Sequence, residues 1–327
     1  MRKFIPLLFF LNFCLVSYNQ VIVGTILDKN TKTPIDFANV YFNGTFIRTA
    51  SDRNGNFRLD ISKNPAMPVT VSAMGYYSIT LTDFSAGDPI LVYMIPKVYK
   101  LKEVVVNAKS LARKKKRYMV IFKNAFLGLT ENAKNCSIAN ENDITFNYFS
   151  KKDTLKAFAS KPILIDNRAL GYKISFYLDK FEYNWRDDSF CFSGDIIFKE
   201  DSTLEESKKQ VFREKRREAY FGSRMHFFRA LWNNELEAEG FKITTLTGKK
   251  LYYKDLVFQK DSLKKFLKYP KKLCLHYLET DAVSYLYFNE KEVYFEKNGY
   301  FDPLAIEWVG PIIDQRIADS LPYEFGL

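Results

Sequence analysis

The chain has 327 residues, a formal net charge of +11, 47% hydrophobic and 27% charged residues. These are globular values that exclude a disordered chain, and the length suits two domains. Aromatic residues reach 17%, with 30 Phe and 21 Tyr, which favours strands and a ring-packed core.

Arg2 and Lys3 precede an apolar run from Phe4 to Val16, broken only by Pro6, Asn12 and Cys14. The run is shorter than the ~20 residues of a membrane helix. A charged start before a short apolar core is the pattern of a cleaved export signal. Residues 1–20 are read as that signal, with cleavage between Ser17 and Val21. Phe13 stands before Cys14, where lipid modification wants a small residue, which argues against a lipoprotein. No later segment reads as a membrane helix, so no transmembrane segment is expected after cleavage. Cys136, Cys191 and Cys274 remain; an odd number cannot all pair within the chain, and their spacing matches no metal signature.

From Val21 onward the pattern is one of short strands and turns. Val21–Leu27 is β-branched and apolar, and Asp28–Pro34 is dense in turn formers. Asn39–Phe42 and Arg48–Ser51 flank Asn43-Gly44, a dipeptide suited to a tight hairpin. Asp52–Gly55 is a second turn. In Asn56–Ile61, Phe57, Leu59 and Ile61 alternate with polar neighbours, the period of a half-buried strand. Val69–Ala73, Tyr76–Thr82 and Ile90–Ile95 bring the total to about seven strands, with turn signals every 8 to 12 residues or so. That spacing predicts a β-sandwich over 21–108. Lys102–Asn107 reads as one more edge strand.

The ordered segments Val21–Asp28, Thr33–Val40, Ser51–Phe57, Ser72–Tyr76 and Leu101–Val106 together resemble the carboxypeptidase-regulatory-like domain of cell-envelope proteins in Bacteroidetes-type bacteria. The resemblance implies a transthyretin-like sandwich that is an accessory and not itself catalytic, in a periplasmic or outer-membrane-associated protein. In large outer-membrane transporters a similar module precedes a long barrel. The roughly 220 residues after Ala108 are too few for such a barrel. Segments such as Ala219–Phe227 and Trp308–Pro322 resemble a domain that follows the same sandwich in other envelope proteins, which implies architecture only.

Residues 109–118 read as a basic linker, with Arg113-Lys114-Lys115-Lys116-Arg117 as its densest part. Residues 119–327 read as a larger mixed domain. Met119, Phe122, Phe126 and Leu129 are spaced 3, 4 and 3, predicting a helix over Leu111–Leu127 stopped by Gly128. Asp143–Lys199 turns to period two, as antiparallel strands with one wet face do. Leu204–Gly240 is helical, broken at Gly222-Ser223, with Ser223 as cap and Gly240 as the end. Strands resume at Phe241–Thr247, Leu251–Phe258, Lys272–Glu279, Val283–Asn289 and Lys291–Lys297. The class is α+β: an all-β sandwich, then mostly antiparallel strands with a helical insertion.

The chemistry is sparse. A zinc carboxypeptidase needs His-x-x-Glu and a further His downstream. His276-Tyr277-Leu278-Glu279 fits the first part, but the other histidine, His226, lies 50 residues upstream. In the alternating run Leu273, Leu275, Tyr277, His276 falls on the opposite face. No Gly-x-Ser-x-Gly elbow and no phosphate-binding Gly-x-x-x-x-Gly-Lys loop occurs. Ser223 and His226 are a serine–histidine pair three apart, better read as a helix cap and a packed neighbour. No catalytic, cofactor-binding or metal-binding residue is assigned, and no cofactor is expected.

Arg213, Arg217, Tyr220, Arg224, His226 and Arg229 gather near the turn at Gly222. They make a candidate contact for glycans or an anionic lipid surface, since Arg pairs bidentately with carboxylate or phosphate. Nucleic acid is not an expected partner of an exported chain. The reading is a noncatalytic envelope protein that acts by binding or assembly, with envelope proteins also among its partners. The alternative is a hydrolase of unknown type in the second domain.

Overall fold

The computed structural model describes residues 20–97 and 108–326, apart from 64–65, 83, 85–86, 202–205, 261–263, 271 and 279. The export signal up to residue 19 and the strand expected over Lys102–Asn107 lie outside the described residues.

The first module contains β1 (Val21–Asp28), β2 (Asn39–Phe42), β3 (Arg48–Ala50), β4 (Asn56–Asp60), β5 (Val69–Ser72), β6 (Ile79–Leu81) and β7 (Ile90–Met94). They form two sheets, β4-β1-β7 and β3-β2-β5-β6, with β1 parallel to β7 and antiparallel to β4. Between the sheets lie Ile22, Ile26, Val40, Phe42, Val69, Val71, Val92 and Met94. Strand β4 follows the expected alternation, burying Phe57 and Leu59 and exposing Asn56, Arg58 and Asp60. Strand β5 does not: Val69 and Val71 face the sandwich core, yet Thr70 and Ser72 are also buried. Tyr41 on β2 is buried in the same way. The second module covers the outer face of this sheet.

That module opens with α1 (Ala108–Leu127) and α2 (Glu131–Lys134), then β8 (Cys136–Ile138), β9 (Ile144–Phe149), β10 (Thr154–Ala159), β11 (Ile163–Asn167), β12 (Tyr172–Asn184) and β13 (Phe190–Glu200). These six strands make one sheet, with β12 at its centre, flanked by β10 and β11, and the long strand β13 paired with β12 in a hairpin. Gly194 allows the hairpin to close, since a Cβ there would stand 2.2 Å from the Tyr177 carbonyl. Helix α1 lays Phe122 on Phe181 (4.7 Å) and Phe126 on Phe176 (4.9 Å); each buried ring contributes roughly 1.5–3 kcal/mol. Leu129 does not join this face as its spacing suggested. Gly128 takes φ 108°, the helix ends, and Leu129 is exposed. The basic run Arg113–Arg117 occupies the N-terminal half of α1 and is largely exposed.

The helical insertion is α3 (Glu206–Tyr220) and α4 (Arg224–Asn233). Ser223 caps α4, its side chain accepting the His226 N–H at 3.1 Å. Helix α4 stops before Gly240, because Asn234 adopts the left-handed conformation (φ 60°) that ends a helix. There follow β14 (Phe241–Thr244), β15 (Lys250–Leu251), α5 (Tyr253–Leu256), β16 (Val257–Gln259), β17 (Lys265–Leu267), β18 (Leu273–Tyr277), β19 (Val283–Phe288), β20 (Val293–Phe295) and β21 (Ile306–Val309). They build a five-stranded sheet, β15-β14-β18-β19-β21, and a three-stranded one, β16-β17-β20. The expected strand Leu251–Phe258 is interrupted: Asp255 accepts the Tyr252 N–H at 2.9 Å, nucleating the turn of α5. Phe227 and Phe228 of α4 fill this core against Trp308, Phe241 and Phe301.

Candidate functional site

The two modules are joined by more than the chain between them. The hairpin at Asn43-Gly44 reaches onto β13. The Gly44 N–H donates to the Ile196 carbonyl (2.8 Å), Asn43 Oδ1 accepts the Ile196 N–H (2.8 Å), and the Phe198 N–H reaches the Thr45 carbonyl (3.3 Å). The Tyr323 N–H donates to the Gly44 carbonyl at 2.9 Å. Gly44 is required there twice over: its φ is +77°, and a Cβ would lie 2.7 Å from the Tyr323 ring.

Beside this junction the Tyr41 and Tyr177 rings stack at 5.9 Å, and Asn39 Nδ2 donates to Tyr177 Oη at 3.1 Å. Behind them Asp195 is 9% exposed. Burial, and then the charge of Asp179, push its carboxyl up to about 7; Tyr41 and Lys97 pull the other way. Burial likewise holds Tyr41 well above the usual phenol range. The Tyr41 and Ser72 hydroxyls are buried close to one another and to Asp195.

In front of this wall is a cleft of about 410 Å³, lined by Asn39, Ala73, Tyr76 and Lys97 of the sandwich and by Ser160, Lys161, Pro162 and Tyr177 of the second module. That volume lies within the range of small-ligand sites. Two large apolar side chains on the lining face solvent: Phe37 is 71% exposed and Met74 70%. Phe37 also sits at φ +52°, a rare conformation for a bulky residue. Its N–H is held by the Ser51 carbonyl at 3.1 Å, and Ser51 Oγ in turn holds the neighbouring Ala38 N–H and Ile35 carbonyl. The surrounding structure imposes the strain and directs an aromatic ring into water.

The six residues singled out near Gly222 divide into two groups. Arg213 and Arg217 are exposed on α3. The others turn inward. Arg229 donates to the carbonyls of Asn298 (2.8 Å), Phe325 (2.7 Å) and Tyr323 (2.9 Å) and lies over the Tyr220 ring. Arg224 donates to the Gln315 carbonyl at 3.3 Å. His226 is 2% exposed; its Nδ1 accepts the Gly222 N–H at 3.1 Å, leaving the Nε2 proton for Glu239 at 2.8 Å. Burial lowers its pKa more than Glu239 raises it, so the ring is neutral. The two arginines fasten the C-terminal residues to the helix turn, and His226 ties the turn to Glu239.

The Ser223 hydroxyl caps α4, and the His226 ring is bonded to Gly222 and Glu239, so the pair does not form a nucleophile and base. His276 lies 3.3 Å from Thr244 Oγ1, on the strand face opposite Leu273 and Leu275; Glu279 lies outside the described residues. Among the described residues no three His, Cys, Asp or Glu side chains converge on a metal-sized site. Cys136, Cys191 and Cys274 are free.

The cleft and the buried acid behind it escaped sequence reading. Asp195 left one trace, a carboxylate within Ser-Gly-Asp-Ile-Ile of a strand with apolar neighbours. The conformation of Phe37 left none.

The fold and the cleft define a two-module protein whose sandwich is braced by an α+β body. Residues 22–106 match the family model of the CarboxypepD_reg-like domain, so the first module is a domain of that kind. Comparison with curated proteins gives no match. Among solved structures, a 9R-lipoxygenase from Cyanothece PCC8801 is similar at 13% identity and a TM-score of 0.18, over 68% of this chain and 48% of that one. The match takes in about half of that protein and is too slight to carry an argument.

Proposed function

We propose that this is an exported, noncatalytic cell-envelope protein that acts by binding, with the cleft between its two modules as the binding site. A regulatory-like sandwich fits a noncatalytic binding or assembly role. No helix among the described residues is long and apolar enough to cross a membrane. The observation that carries the reading is Phe37: a strained, exposed ring on the cleft rim, paired there with exposed Met74. Backbone strain persists where the fold imposes it, and it clusters at ligand clamps. The serine–histidine pair weighed for the hydrolase reading, Ser223 and His226, is committed to structural bonds.

Site-specific photocrosslinking in cells tests both parts. A photoreactive residue at Met74 is expected to give discrete adducts in the envelope fraction, and one at exposed Val120 of α1 is not. Equal labelling from the two positions would remove the cleft from the proposal. A purified chain still carrying residues 1–20 and confined to the cytosol would remove export.

A further inference from the structure

Three carboxylic acids stand at the contacts between the sandwich and the second module. Asp195 on β13 lies beneath Tyr41 of the sandwich. Glu296, just after β20, is 7% exposed. It accepts a hydrogen bond from Tyr294, whose hydroxyl also meets the Ala66 carbonyl of the sandwich at 3.0 Å. Nearby, Asn298 Nδ2 lies 3.1 Å from Met67 Sδ, and Tyr300 packs into the sandwich core. Glu324 near the C-terminus accepts the Phe46 N–H at 2.9 Å through one oxygen, and its other oxygen is buried without a partner. The Tyr41 and Ser72 hydroxyls and this Glu324 oxygen are all buried at the contact, so its polar groups are held away from water.

We propose that the contact between the modules is a proton-sensitive latch, held closed by Asp195, Glu296 and Glu324 in their neutral forms and released when they ionise. The inference stands whatever fills the cleft. Asp195 is faced by Tyr41 of β2, by Tyr177 and Asp179 of β12, and by Lys97 at the end of the sandwich. Glu296 is faced by Tyr294, Lys264, Tyr300 and Tyr323. Glu324 is faced by Lys63, Tyr172 and the Phe46 N–H. The three lysines favour ionisation, but burial is the larger effect at every site and disfavours it. Asp195 and Glu296 are each pushed up to about 7, and Glu324 is raised. Once the latch opens, each group meets water and returns to the ordinary range near 4. The closed form therefore holds protons more tightly. Its advantage is complete below about pH 4 and is lost as pH rises through about 7.

Amide hydrogen exchange on the full chain, corrected for the intrinsic rate at each pH, reads the latch directly. The reporters are the amides of Gly44, Ile196, Phe198 and Tyr323, which bond across the contact. The amides of the β2–β5 ladder serve as internal reference. Between about pH 6 and about pH 8.5 the cross-contact amides are expected to open about tenfold more often or beyond, with the ladder still protected. The triple variant Asp195→Asn, Glu296→Gln, Glu324→Gln is expected to abolish the difference. Should it not fold, Asp195→Asn alone is expected to reduce it. The proposal is overturned by equal protection at both pH values, by variants that keep the wild-type dependence, or by ladder amides opening together with the contact.

Discussion

Arg229 commits its guanidinium fork to three main-chain carbonyls from two distant segments, Asn298 and the Tyr323–Phe325 tail. A lysine ammonium lacks the planar spread to serve them together. Arg229→Lys is therefore expected to lose about 2–3 kcal/mol, nearly as much as Arg229→Ala, because buried carbonyls are left without donors. A urea titration checks this through the midpoint at unchanged slope. At Gly44 the expected outcome is similar in kind. Gly44→Ala meets both positive φ and the Tyr323 ring, and a loss of at least ~1 kcal/mol should appear in the same titration. The sequence showed where these residues were, and for Gly44 it also showed the turn. It showed Arg229 only as charge, since a cation that binds its own chain and one that binds a ligand look alike in composition.

At the scale of elements, legibility followed local rules. Strand β4, the hairpin at Asn43-Gly44 and the Ser223 cap were readable because alternation, a turn dipeptide and a capping side chain act within a few residues. Ser223→Ala should cost about 1 kcal/mol, visible as a lowered thermal midpoint. Phe126→Ala should cost about 3–5 kcal/mol, since the fully buried ring wedges α1 against Phe176 and Phe192. The errors came where short-range signals competed. Leu129 continued an apolar spacing that Gly128 had already ended, and Asp255 bent a plausible strand into the turn of α5. Strands β8, β11 and β21 were not anticipated separately; at three to five residues each is too short for its alternation to stand out.

For the whole molecule, pH is the informative variable. Asp195 and Glu296 both have folded pKa values near 7, above the unfolded carboxylate range. Their favourable contribution is thus present in acid and lost as pH rises through neutrality. Thermal denaturation should show a lower midpoint at pH ~8.5 than at pH ~5.5. Asp195→Asn should recover part of that loss at the higher pH, with a ceiling of about 4 kcal/mol. A difference between those pH values that Asp195→Asn and Glu296→Gln leave unchanged would contradict the burial of these acids.

Two kinds of information separate at this scale. The linear chain was enough to establish an N-terminal sandwich of about seven strands, an α+β body behind it and a helical pair between two strand sets. Hydrophobic period, turn residues and caps are local, and each position reports its own part. Only the tertiary structure decided that Tyr41, Thr70 and Ser72 are buried on a second face, that a hairpin of the sandwich docks on β13, and that Phe37 stands strained at the mouth of a cleft. The second buried face, the docking and the cleft depend on residues more than a hundred positions apart meeting at one contact. The energy of such a meeting belongs to pairs of surfaces, and no single stretch of sequence carries it.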